Sequence, residues 1–181
     1  MMSGKRKITG VFLFLFLFLV LFLFLHEVTV FAIRLPDRNN EIHFLESVKE
    51  GDEIVLTYRH SVEKTLVRGI FRVSSAPSLQ AKETWMTSVG TGLPNTFSDR
   101  TRQEGKWLIV DEGLSEIENF RFFISPVNKT RVSTPSGAVD LTRLSAGTII
   151  LLDIERMSLM QYGGYKAGFL CREAGVAPPY L

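Results

Sequence analysis

Residues 53–73 read EIVLTYRHSVEKTLVRGIFRV, and the alternation in this stretch decides the fold. Ile54, Leu56, Tyr58 and His60 fall on one face of an extended segment, while Glu53, Val55, Thr57 and Arg59 fall on the other. Thr65–Val73 answers with Val67, Phe71 and Val73 set against Arg68 and Arg72. Only Ser61-Val62-Glu63-Lys64 lies between them, a length that suits an antiparallel hairpin. Working outward, the same period predicts strands at Leu79–Val89, Lys106–Asp111, Phe120–Ile124, Thr130–Ser133 and Thr148–Glu155. Turn chemistry separates them: Ser74-Ser75-Ala76-Pro77, the polar stretch Thr91–Gly105, Ser125-Pro126 and Pro135-Ser136-Gly137. The best helical candidate beyond the N-terminal run is the short Leu114–Asn119 segment. About seven short strands with frequent turns predict a mainly β domain, an antiparallel β-sandwich or barrel.

An internal echo supports two equivalent core strands. Leu45, Val48, Gly51, Ile54, Val55, Leu56 and Tyr58 recur, at the same spacing, as Leu141, Leu144, Gly147, Ile150, Leu151, Leu152 and Ile154. The pattern describes a turn of helix or loop that packs two aliphatics, a glycine reversal, and then a core strand. It reads either as a duplication or as the common way in which a β chain turns from glycine into a strand.

The N-terminus has a different character. Val11–Leu25 is an unbroken apolar run, VFLFLFLFLVLFLFL, behind the basic cluster Lys5, Arg6, Lys7. Extended back to Ile8 it makes roughly 27 Å of helix, close to the ~30 Å hydrocarbon core of a bilayer. The next basic residue after the run, other than His26, is Arg34, so the charge bias leaves the N-terminus cytoplasmic and sends the remainder across. The expected organisation is a basic flank at residues 1–7, a transmembrane signal-anchor at 8–33 with Ile8 to Leu25 as its span, a linker at 34–40, and one extracytoplasmic β domain at 41–181. A cleaved signal peptide is the alternative, with Val30-Phe31-Ala32 as its small-x-small site.

The 148 residues after position 33 suit a single domain. Without Lys5, Arg6 and Lys7, 18 basic residues face 19 acidic ones, and no basic stripe interleaves with aromatics, which argues against nucleic acid. Cys171 is the single cysteine, so no intrachain disulfide forms, and its apolar neighbours suggest a buried thiol. Asn128-Lys129-Thr130 matches the short glycosylation-acceptor pattern.

The chemistry-bearing residues crowd at one hairpin end, Tyr58-Arg59-His60-Ser61-Val62-Glu63-Lys64-Thr65, with Arg68 just beyond. A second cluster runs from Glu83 into Gly90-Thr91-Gly92-Leu93-Pro94, a glycine turn without the following helix that phosphate cradling needs. Tyr58-x-His60-Ser61-Val62-Glu63-Lys64-Thr65-x-Val67, followed by Glu83-Thr84 and Gly90-x-Gly92-Leu93-Pro94, resembles a small bacterial and archaeal family of unknown function. Its genes sit beside, or are fused to, permeases of TRAP transporters of the TAXI type. The resemblance covers roughly Glu50–Pro94. One departure is Gly69, where such proteins often carry an acidic residue.

The resemblance implies a membrane-anchored accessory protein that binds the permease or a small carboxylated solute, with no cofactor and no catalytic residue assigned. The expected ligand or partner surface is His60, Ser61, Glu63, Lys64, Thr65, Arg68, Glu83, Gly90, Gly92 and Pro94. A structural or assembly domain of the cell envelope is the alternative. Two further readings are a hydrolase using Ser61 with His60 and Glu63 or Glu83, which lacks a nucleophile elbow, and a metal site of His60, Glu63 and Glu83, which lacks paired-ligand spacing.

Overall fold

The structure, a computed structural model, describes the backbone of residues 3–88, 99–125 and 127–173, and the side chains of 10–88, 99–125 and 127–169. Gly90, Gly92 and Pro94 of the expected surface, and the side chain of Cys171, lie outside the described residues. The chain divides into two compact units, one of residues 30–155 and one of residues 1–29 with 156–181.

Eleven strands are described: β1 (Glu27–Leu35), β2 (Glu41–Ser47), β3 (Glu53–Arg59), β4 (Leu66–Val73), β5 (Leu79–Met86), β6 (Thr101–Glu104), β7 (Trp107–Ile117), β8 (Phe120–Phe123), β9 (Arg131–Thr134), β10 (Gly137–Asp140) and β11 (Ile149–Ser158). They form a four-stranded sheet in the order β2-β1-β11-β8 and a seven-stranded sheet in the order β10-β9-β3-β4-β5-β7-β6. The sheets are antiparallel and sandwich-like. Their inner faces share one core, in which Phe31, Ile33 and Leu35 of β1 and Ile150, Leu152 and Ile154 of β11 meet Ile54 and Leu56 of β3, Phe71 and Val73 of β4 and Val132 of β9. Aromatic pairs cross between sheets: Tyr58 lies 4.9 Å from Phe122 and Phe71 lies 5.0 Å from Phe120. Gly69 has a packing reason, because a Cβ there would come within 3.0 Å of the Phe71 ring.

The echo in the sequence is an echo in backbone geometry. Asp52 N–H donates to Lys49 O (3.0 Å) and Thr148 N–H to Ser145 O (3.2 Å), closing two turns whose third residues, Gly51 and Gly147, sit at φ +88° and +90°. A type II turn requires that positive φ. Gly51 N–H then donates to Val73 O and Val73 N–H to Asp52 O; correspondingly, Gly147 N–H donates to Ile124 O and Ile124 N–H to Thr148 O. The turn therefore launches β3 beside β4 in one sheet and β11 beside β8 in the other. The preceding aliphatics differ: Leu45 belongs to β2, whereas Leu141 and Leu144 lie in a turn.

Several expectations are corrected. The expected anchor and linker overlap β1, whose Val30, Phe31, Ala32 and Ile33 are fully buried, and the connection to β2 is the 3-10 turn Pro36–Arg38 followed by Asn39 and Asn40 at positive φ. The expected Leu114–Asn119 helix is the end of β7 and the two-residue turn into β8. Strand β6 arises within a stretch read as a turn, and β10 starts at Gly137, the last residue of another, and runs on through residues given no element. Asn128 of the glycosylation pattern is 8 % exposed and Thr130 1 %, so the acceptor amide is not presented to an enzyme.

In the other unit, α1 (Ser3–Leu25) carries the apolar run and α2 (Leu159–Glu173) is a C-terminal helix absent from the sequence reading. A capping box starts α2: Gln161 N–H donates to Ser158 Oγ (3.2 Å) and Ser158 N–H to Gln161 Oε1 (3.1 Å). Among the described residues no helix is long and apolar enough to cross a membrane. The described side chains of α1 begin at Gly10.

Candidate functional site

The hairpin end singled out in the sequence is a self-contained turn. His60 N–H donates to Thr65 O (2.8 Å) and Lys64 N–H to His60 O (3.0 Å). The His60 imidazole accepts the Glu63 N–H at Nδ1 (3.3 Å), and Lys64 Nζ donates to Ser61 O (2.5 Å) with Lys64 at φ +56°. His60 is thus a half-buried side chain that satisfies its own loop. Ser61, Val62 and Lys64 are exposed around it, and burial pushes the neighbouring Tyr58 hydroxyl up. Glu83 does not join this group. Its strand partner Ile70 faces Val55, five residues along β3 from His60, or about 16 Å at strand rise. Among the described residues no three His, Cys, Asp or Glu side chains gather as metal ligands.

Strand register assembles a different set. Arg102 pairs with Ile109, Ile109 with Trp85, Trp85 with Arg68, Arg68 with Thr57, Thr57 with Arg131, and Arg131 with Asp140. One unbroken rung therefore crosses all seven strands on the face turned away from the shared core. Directly opposed residues share a face, so their side chains are neighbours. The Arg68 guanidinium lies 4.8 Å over the Trp107 ring, Lys106 Nζ lies 5.6 Å from it, and Trp85 meets Trp107 edge-on at 5.9 Å. Ile109, between Trp85 and Arg102 on the rung, is fully buried.

Glu83 ties Trp85 to Arg102. Its Oε2 accepts Trp85 Nε1 (2.6 Å) and its Oε1 accepts Arg102 Nη2 (2.9 Å), while Arg102 Nε reaches Glu104 (2.9 Å). Burial raises the Glu83 carboxyl, but the hydrogen bonds from Trp85 and Arg102 and the charges of Arg102 and Lys82 outweigh it and hold it below the usual carboxylate range. Arg102 is pushed up by hydrogen bonds to Glu104 and Glu83. Arg68 differs from Arg102 in that, among the described residues, no carboxylate lies within ion-pair distance of it. A planar guanidinium held on an indole has the geometry to donate two parallel hydrogen bonds to a carboxylate or phosphate.

The structure thus joins Arg68 and Glu83 of the expected residues through Trp85, leaves the His60 loop at the end of the same sheet, and adds Trp85, Trp107 and Arg102. The available signal was that both tryptophans fall in expected strands on the parity of charged residues, Trp85 with Glu83 and Trp107 with Asp111.

Fold and face together define a β-sandwich domain that presents a cationic and aromatic sheet surface. Residues 54–141 match the family model of a domain of unknown function, DUF1850. The match runs from the second residue of β3 to just past β10. It spans essentially the whole seven-stranded sheet together with β8, and leaves out β1, β2, β11 and both helices. No curated protein and no solved structure matches the chain.

Proposed function

We propose that this chain is a membrane-tethered accessory protein of a solute transporter, its apolar helix in the cytoplasmic membrane with the N-terminus inside and its β-sandwich outside. The partner that the hairpin motif suggests is a TRAP permease of the TAXI type, or the small carboxylated solute that such a system handles. The working surface is the outer face of the seven-stranded sheet, with the His60 loop at its end.

The observation that carries this reading is the Arg68 rung: a guanidinium seated on Trp107 with no carboxylate partner among the described residues. The anchor reading is supported by the apolar run itself, most of whose side chains stand outward, with Phe12 68 % and Leu25 71 % exposed and only Val20 and Leu23 half-buried. Such a surface is unfavourable in water and favourable in lipid. Retention of that helix is supported by Ala32, which is fully buried in the middle of β1; cleavage there would remove part of a core strand.

The test is co-purification of the full-length chain with a TAXI-type permease from membranes, followed by solute uptake in a deletion strain. Association that weakens on Arg68→Gln, with impaired uptake on deletion, is expected. An intact protein that never associates and whose loss leaves uptake unchanged removes the reading.

A further inference from the structure

A second cationic corner lies further along the same rung. Thr57, Lys129, Arg131, Asp140 and Thr142 line one open depression on the outer face of β3, β9 and β10. Arg59 is two residues from Thr57 on the same exposed face. Among the described residues Lys129, Arg131 and Arg59 form no ion pair within 4 Å. The domain as a whole is close to neutral, so this concentration of unpaired cations is a local segregation of charge.

Lys129 is built into the depression. It holds φ +45° between Asn128 and Thr130, whose side chains are buried, so the chain is fixed on both sides while the lysine side chain is displayed. A non-glycine residue held at positive φ stores strain that the surrounding packing must overcome. Asn128 Oδ1 and Thr130 Oγ1, on either side of it in the chain, are buried without a hydrogen-bond partner. The acid of the depression, Asp140, is already engaged. Its carboxylate accepts the Thr142 N–H (2.9 Å) and is held low by the Thr142 hydroxyl and amide and by the charges of Arg131 and Arg143.

We infer that this depression binds an oxyanion group, a phosphate or a carboxylate, between Lys129 and Arg131 and over the Thr57 hydroxyl. Arg131 supplies a fork for two oxygens, Lys129 a point charge, and Thr57 a neutral donor. Asp140 stands opposite Arg131 across the strand pair and sets the selectivity, since it disfavours ligands with negative charge on its side. The inference rests on the outer face being the working surface, but not on the identity of the transporter.

The experiment titrates the full-length protein in neutral detergent, at low ionic strength, with inorganic phosphate and separately with succinate, following backbone amide shifts. Saturable shifts at Thr57, Lys129, Arg131 and Thr142 are expected with at least one probe, and which probe binds more tightly identifies the group. Arg131→Gln and Lys129→Gln should each weaken binding about tenfold or more, the loss of one charge-assisted contact. Lys82→Gln, whose ammonium is taken up by Glu53, should leave it unchanged. Absence of saturable shifts with both probes, or binding indifferent to both substitutions in the depression, overturns the site. Loss of this binding with permease association intact fails the inference alone; binding without association fails only the transporter reading.

Discussion

If the N-terminal segment were released after Ala32, the folded domain would begin at Ile33, in the middle of β1. Val30, Phe31 and Ala32 are all fully buried, and they pair in register with Ser47, Glu46 and Leu45. Burying a valine and a phenylalanine contributes about 1.5–3 kcal/mol each and the alanine methyl about 0.8, so the transfer loss alone is about 4–7 kcal/mol. The severed ladder adds about 1 kcal/mol for each backbone hydrogen bond not remade. Net stability for a domain is about 5–15 kcal/mol, so a chain beginning at Ile33 should be unfolded or close to it. The assay is urea denaturation, followed by circular dichroism, of chains beginning at Glu27 and at Ile33, beside intact mass of the protein extracted from membranes. The chain from Glu27 should unfold cooperatively, the chain from Ile33 should show little or no transition, and the extracted protein should retain residues 1–32. Phe31→Ala in the full-length protein should cost about 3–5 kcal/mol. A membrane-released product that starts at Ile33 and unfolds with nearly the stability of the longer chain would refute the reasoning.

Two further outcomes come from local geometry. Gly51→Ala and Gly147→Ala should each destabilise by about 1–2 kcal/mol in chemical denaturation, because both residues hold φ near +90°. Gly147 has open space where a Cβ would stand and Gly51 only the tip of Arg72 at 3.5 Å, so the two losses should be alike; unequal losses would break the equivalence of the two turns. Glu83 is depressed in the folded protein, so its contribution to stability is present above its unfolded value near 4.3 and is lost as pH falls through its lower folded value. Trp85 fluorescence should report that acid transition, and Arg102→Gln should move the midpoint upward; a midpoint unmoved by Arg102→Gln would show that the ion pair does not set it.

The β3–β4 hairpin was legible because its two faces differ: Ile54, Leu56, Val67, Phe71 and Val73 alternate with charges, and a period of two has one physical meaning. The glycines of the echo were legible for a related reason, since only glycine takes a positive φ of about 90° at little cost before an apolar strand. β1 was not legible. Val28, Val30, Phe31, Ala32 and Ile33 are apolar on both parities and come directly after the Phe-Leu run, so nothing in composition marks the boundary between helix and strand. β6 and β10 are four-residue edge strands with one buried face at most, and their pairing partners rather than their side chains make them strands.

The face that carries the proposed function was partly visible as residue types and not at all as an arrangement. Sequence by itself placed Arg68, Glu83 and the His60 loop in or beside strands. It also determined the apolar N-terminal helix and the near-neutral charge of the remaining chain, because these depend on local periodicity and on sums. Only the tertiary structure decided that Arg102, Trp85, Arg68, Thr57 and Arg131 share one rung. That alignment is set by register between strands as much as 74 residues apart in number, Thr57 against Arg131, and a slip of one residue in any pair would turn the next side chain to the opposite face.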